Sequence, residues 1–191
     1  IRFTSCASSR ALRHTILSWS NMETLQQQVP ENNGPRKETK KDITIIWPAE
    51  IEKQSSLAPP LGLIYINSSL KKAGYKTRVI DILFDPQMKQ LKELQTRGGI
   101  YLISFPTALF NQVNQILSII RQRDPESFII GGGPHPSANK EKTLEEMGLD
   151  LVALGESEIA IVDIVKTIES KGDFSKVPGI IYRDNNGKII K

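Results

Sequence analysis

Five short apolar runs, each followed by a segment with helical spacing, constrain this chain more than any other feature. Ile43-Thr44-Ile45-Ile46-Trp47 is nearly unbroken, as expected of a strand buried on both faces. Lys76–Ile82, Ile100–Phe105, Phe128-Ile129-Ile130 and Leu151–Leu154 repeat the pattern. Between them, Leu61–Lys72 carries Leu63, Ile66, Leu70 and Ala73 at helical spacing and stops at Gly74. Met88–Thr96 reads as a short helix stopped by Gly98-Gly99. Phe110–Arg123 is the clearest helix, with Phe110, Val113, Ile116, Leu117 and Ile120 on one face and Asp124-Pro125 ending it. Ala138–Met147, ended by Gly148, and Ile159–Ser170 complete the series. Strands alternating with helices predict an α/β fold: a five-stranded parallel sheet with helices on both faces. The last stretch differs. Gly179–Tyr182 and Lys188–Lys191 flank Asn186-Gly187, a β-hairpin signal.

The chain has 191 residues, enough for one ordinary domain with a real core. Its formal net charge of +4 lies entirely in residues 1–41, which hold seven basic and three acidic side chains, while residues 42–191 hold eighteen of each. The folded part is thus electrically balanced, and no nucleic-acid partner is expected. Polar runs such as Gln26-Gln27-Gln28 and Pro30-Glu31-Asn32-Asn33-Gly34-Pro35 make residues 1–41 a disordered or non-native extension. Ile1–Ser20 is Arg- and Ser-rich without an acid, like an organelle transit peptide. Yet the chain starts with Ile and its first methionine is Met22, which favours translated upstream sequence or a fragment end. Cys6 is the single cysteine, so this chain alone builds no disulfide framework, multi-cysteine zinc site or iron–sulfur cluster. No apolar run reaches the roughly 18 residues of a membrane span. With no signal peptide either, a reducing cytoplasm is the expected compartment.

In an open α/β sheet the ligand crevice lies beyond the carboxyl ends of the strands. The loops there are Pro48–Gly62, Ser104-Phe105-Pro106-Thr107, Gly131-Gly132-Gly133-Pro134-His135-Pro136 and Gly155-Glu156-Ser157-Glu158. Gly131, Gly132 and Gly133 would strip one wall of β-carbons, so that backbone approaches a flat ligand, with His135 at the rim. The same glycines would equally suit a turn serving helix–sheet packing beside a solvated histidine. Glu156 and Glu158 are most simply a negative pair favoured by the dipole of the last helix. A Gly-x-Gly-x-x-Gly turn after the first strand, a Walker loop, phospho-receiver acids and a Gly-x-Ser-x-Gly elbow are all absent. No catalytic residue and no metal ligand is assigned.

Taken in order, the loops resemble the cobalamin-binding domain that precedes the radical S-adenosylmethionine domain of many methyltransferases and cyclases. The matching pieces are Pro59-Pro60-Leu61-Gly62-Leu63, Leu70-Lys71-Lys72-Ala73-Gly74-Tyr75, Val79-Ile80-Asp81, Ser104 and Thr107 followed by Asn111, and Gly132-Gly133-Pro134-His135-Pro136. They continue with Gly155-Glu156-Ser157-Glu158 and Val177-Pro178-Gly179-Ile180-Ile181-Tyr182-Arg183. The resemblance implies a Rossmann-like (flavodoxin-like) sheet with a C-terminal β-hairpin, binding cobalamin over residues 42–175. It implies that Leu61 and Gly62 approach the lower side of the cobalt, with Pro60 among the cofactor-binding residues. Ser104 and Thr107 would pair with the nucleotide tail or ring amides. Gly132, Gly133 and Pro134 would line the lower face of the ring and the tail channel, with Gly131 and His135 also among the cofactor-binding residues, and Gly155 with Glu156 would hold the far end of the tail.

Two departures from the family carry weight. Cobalamin domains of the methionine-synthase type supply a histidine to cobalt from Asp-x-His-x-x-Gly after the first strand, whereas Pro48–Gly62 has no histidine. A cobalt without a histidine ligand is therefore expected. Where the family reads Gly-Glu-Gly-Glu, this chain has Ser157 in third place. The hairpin at 176–191 would lead to a downstream radical domain whose 4Fe-4S cluster and S-adenosylmethionine this chain alone does not bind. In that parent enzyme the cofactor would carry a methyl group to a substrate radical, or serve ring formation, while this portion binds cobalamin and catalyses nothing by itself. The alternatives are a cofactor-free Rossmann-like interaction or regulatory domain, and a nucleotide or sugar-nucleotide binder using the same glycine loop.

Overall fold

The computed structural model describes residues 40–49, 60–184 and 186–191. The readings made for residues 1–39, including Cys6 and His14, and for most of Pro48–Gly62, lie outside these described residues.

Strands β1 (Ile43–Trp47), β2 (Thr77–Asp81), β3 (Ile100–Ser104), β4 (Phe128–Gly132) and β5 (Leu151–Ala153) fall on the five apolar runs. They pair in parallel in the order β2-β1-β3-β4-β5, so strand order reverses between β1 and β3. The hairpin strands β6 (Ile180–Arg183) and β7 (Ile189–Ile190) are not an appendage. They continue the sheet antiparallel from β5, giving seven strands rather than five. The physical reason is the edge of β5, whose unpaired backbone groups β6 saturates. Ile180 and Ile181 add buried surface on opposite faces.

Helix α1 (Leu61–Lys72) and α3 (Phe110–Arg123) have the expected bounds, and α6 (Ala160–Glu169) is one residue shorter at each end. Helix α2 is only Lys89–Lys92. The Asp85 carboxylate starts it by accepting the Lys89 and Gln90 N–H groups at 3.0 and 2.8 Å. The single helix expected over Ala138–Met147 is two short ones, α4 (Pro134–Asn139) and α5 (Glu141–Glu146). The positive φ of Lys140, 49°, breaks them apart. Helix α4 begins earlier than expected because Pro134 sits at its first position, where a missing N–H costs nothing.

Side chains alternate across each strand, so the apolar runs feed two cores. Ile43, Ile45, Leu102, Ile130 and Leu151 pack under α1 and α6. Ile46, Ile80, Ile103, Ile129 and Leu149 pack under α2, α3 and α5. Each fully buried isoleucine contributes roughly 1.5–3 kcal/mol relative to exposure, which leaves β1 and β3 no competing register. Among the described residues no helix is long and apolar enough to cross a membrane.

Candidate functional site

A cleft of about 170 Å³ opens at the carboxyl ends of β3, β4 and β5, on the face that carries α1 and α6. Leu102 and Ser104, Ile130 and Gly132, and Ala153 form its floor, every second residue of three neighbouring strands. Ser104 and Gly132 are register partners. Gly62, Leu63 and Ile66 of α1 form one wall, and Gly155-Glu156-Ser157-Glu158 with Ile161 of α6 form the other.

The three glycines of the β4 loop do three different things. A β-carbon on Gly132 would meet only the Ala153 carbonyl oxygen, at 3.8 Å, so this residue leaves real space in the cleft. Gly131 faces the opposite way: a β-carbon there would stand 2.5 Å from Leu149 Cδ1. It therefore belongs to the packing of the other core and not to the cleft. Gly133 adopts φ 90°, and a β-carbon would lie 2.5 Å from Ser104 Oγ and 2.9 Å from the Phe105 nitrogen. Only glycine fits that turn. The expectation of one wall bared by all three glycines is thus corrected, because neighbouring strand residues point to opposite faces. Gly62 and Gly155 have open space where a β-carbon would be, within 4 Å, and both line the cleft.

Of the residues singled out from sequence, Gly62, Ser104, Gly132, Gly133, Gly155 and Glu156 come together around this cleft. Pro60 instead lines a neighbouring apolar groove with Trp47, Ile64 and Val79. Leu61 projects outward at 62% exposure, and Pro134 is also exposed. Thr107 turns its Oγ1 to His135 Nδ1 at 3.0 Å. His135 is not at a solvated rim: it is 7% exposed and stacked on Phe105 at 5.3 Å, away from the cleft lining. The reason is its place at the second position of α4, which sets its ring between Phe105 and Phe110, on the core opposite α1. Glu156 and Glu158 do not cap α6 with their side chains but line the cleft. Sequence reasoning missed Leu102, Ile130 and Ala153, which the two-residue period of the strands would have found.

The lining supplies small backbone-only surfaces, apolar floor residues, two hydroxyls and two carboxylates. No lysine or arginine lines the cleft among the described residues.

Comparison with known proteins gives these features a family. A model of the B12 binding domain matches residues 51–165. The hopanoid C-3 methylase of Methylococcus capsulatus is 30% identical over 133 residues, covering 67% of this chain and 26% of the methylase. The anaerobic magnesium-protoporphyrin IX monomethyl ester cyclase of Synechocystis sp. is 29% identical over 133 residues, 65% of this chain and 26% of the cyclase. The chain therefore spans about a quarter of the length of these curated relatives. In fold it matches the radical S-adenosylmethionine methyltransferase TsrM of Kitasatospora setae, solved with cobalamin and a [4Fe-4S] cluster bound, with a TM-score of 0.65 at 16% identity over 78% of this chain and 30% of TsrM. A seven-stranded α/β sheet, a glycine-bared cleft at its carboxyl edge and a family match over more than half the chain lead to one conclusion: the chain belongs to the B12 binding domain family, homologous to the cobalamin-binding part of cobalamin-dependent radical S-adenosylmethionine methyltransferases and cyclases.

Proposed function

We propose that the cleft between α1 and α6 is where this chain holds cobalamin, with a flat part of the cofactor entering between Gly62, Gly132 and Gly155. The single observation that carries this reading is the open space in front of those three glycines, at the carboxyl edge of the sheet. Packing does not require it at Gly62 or Gly132, where a β-carbon would meet, respectively, nothing within 4 Å and only the Ala153 carbonyl oxygen at 3.8 Å, while Gly155 is also favoured by its φ of 64°. Ser104, Glu156, Ser157 and Glu158 would pair with the amide groups of the cofactor, and Leu102, Ile130 and Ala153 would form a dry floor. Leu61 and Ile159, exposed at 62% and 87% beside the lining residues Gly62 and Glu158, offer apolar surface to whatever stays outside the cleft. When bound, cobalamin supplies methyl-transfer or radical chemistry, and the protein's part is position and exclusion of water.

The relatives are about four times longer than the matched stretch, which supports reading this chain as one portion of a larger radical S-adenosylmethionine enzyme. In that reading a downstream radical domain carries the 4Fe-4S cluster and S-adenosylmethionine, in a reducing cytoplasm. Similarity to both a methylase and a cyclase leaves the two reaction classes side by side. The test is direct. Purified protein mixed with hydroxocobalamin should elute from gel filtration with the cofactor's colour. Colour confined to the low-mass fraction would leave a cofactor-free scaffold as the better account.

A further inference from the structure

His135 lies outside the cleft yet joins the two segments that run on from its floor, after β3 and β4. Its N–H donates to the Phe105 carbonyl at 3.1 Å, and its ring stacks on the Phe105 ring at 5.3 Å with 25° between planes. Its Nδ1 lies 3.0 Å from Thr107 Oγ1. Phe105 and Thr107 follow β3, and His135 follows β4. Directly beneath, the Phe105 N–H donates to the Gly132 carbonyl at 3.1 Å, joining the same two segments at the cleft floor.

The hydrogen bonds around His135 also point to one tautomer. Asn139 Nδ2 is 3.1 Å from the His135 carbonyl oxygen and 3.3 Å from His135 Nδ1. Only an amide N–H can face a carbonyl oxygen, so the Asn139 amide group is oriented and its second N–H points at Nδ1. Nδ1, with its single in-plane lone pair, is then an acceptor shared by the Asn139 N–H at 3.3 Å and the Thr107 hydroxyl at 3.0 Å, which leaves the proton on Nε2. Nε2 is buried, with no hydrogen-bond partner among the described residues, in a ring flanked by Phe105 and Phe110. A metal ligand needs a free nitrogen lone pair facing the metal, and neither nitrogen offers one.

We infer that His135 is a positioning residue, held as the Nε2–H tautomer, which clasps the β3 and β4 loops and so fixes Ser104 and Gly132 at the cleft floor without touching its contents. Thr107 acts through this clasp and not on the ligand. The inference about the ligand rests on the cobalamin reading above; the tautomer does not.

Two measurements test it. In ¹⁵N-labelled chain carrying His14→Gln, two-bond ¹H–¹⁵N correlations at pH 8 should show one imidazole with its proton on Nε2. An Nδ1–H pattern, or averaging between tautomers, would overturn the inference. For hydroxocobalamin binding, Thr107→Val should weaken affinity about fivefold, the worth of one net hydrogen bond, and Thr107→Ser should restore it. In a His135→Phe background, Thr107→Val should have no further effect. Unchanged affinity in Thr107→Val, or losses that add in the double variant, would mean that Thr107 does not work through His135. Should His135→Phe fail to fold, the Thr107 pair and the spectrum still decide the matter. If the unaltered protein takes up no hydroxocobalamin, the cobalamin reading falls, and the tautomer measurement alone upholds or overturns the clasp.

Discussion

Gly131 and Gly132 are chain neighbours whose missing β-carbons serve opposite faces of β4. A side chain at Gly131 would run into Leu149 Cδ1, 2.5 Å away, inside a packed core. Gly131→Val should therefore destabilise the fold by about 1–3 kcal/mol, the usual cost of overpacking, read as a lower urea midpoint. A side chain at Gly132 would enter the cleft, with its nearest neighbour at 3.8 Å. Gly132→Val should leave the urea midpoint within about 0.5 kcal/mol of the parent while abolishing co-elution with hydroxocobalamin. If both substitutions behaved alike, the assignment of the two faces would be wrong. Three glycines in a row announce that backbone must come close to something. They do not say to what, because that depends on which face each one presents once the strand is in its sheet.

Elements are tied together here by a few polar side chains at loop ends. Arg121 near the end of α3 donates to the Ser127 carbonyl and hydroxyl, to the Gly148 carbonyl, and to Asp150 Oδ2 at 2.7 Å. It thereby joins the approaches to β4 and β5. Arg121→Lys should cost about 1–3 kcal/mol in chemical denaturation, because an ammonium cannot reproduce the planar fork. A loss no greater than that of a surface lysine swap would contradict this role. Asp124, fully buried, accepts the Gly98 and Gly99 N–H groups at 2.7 and 2.8 Å and the Tyr101 hydroxyl at 3.2 Å. Burial first, and then the Asp124 charge, push the Tyr101 hydroxyl up from the usual 10 to about 12. Burial and Glu169 raise Tyr75 likewise to about 12. Both phenols hold their protons more tightly when folded, so their contribution is intact below pH 10 and is lost as pH rises from 10 through 12. Unfolding free energy should fall across that window, and Tyr101→Phe should flatten the fall. An equal slope in the variant would assign the alkaline loss elsewhere.

For the molecule as a whole, a ligand that binds only the folded chain must stabilise it. Hydroxocobalamin at about a hundred times its dissociation constant should add roughly 2.7 kcal/mol, visible as a raised thermal midpoint that Gly132→Val lacks. The parallel β2-β1-β3-β4-β5 sheet was legible because strands buried on both faces must read as unbroken apolar runs, and helices on a sheet must show one apolar stripe. The four loops at its carboxyl edge were legible for the same reason: once the strands are located, their ends are located too. Local rules alone dictated these features. Whether the 180–190 hairpin hangs free or completes the sheet depends on whether β5 has an open edge, which no residue in the hairpin reports. Whether His135 faces solvent or a pair of phenylalanines depends on how α4 packs, and that follows from contacts with Phe105 and Phe110, about 25–30 positions away. The amino-acid order by itself determined where chain becomes strand, helix or glycine turn, through periodicity and backbone freedom. Only the tertiary structure decided which side of the sheet each glycine, threonine and histidine serves, because facing is a relation between distant segments and has no local energy.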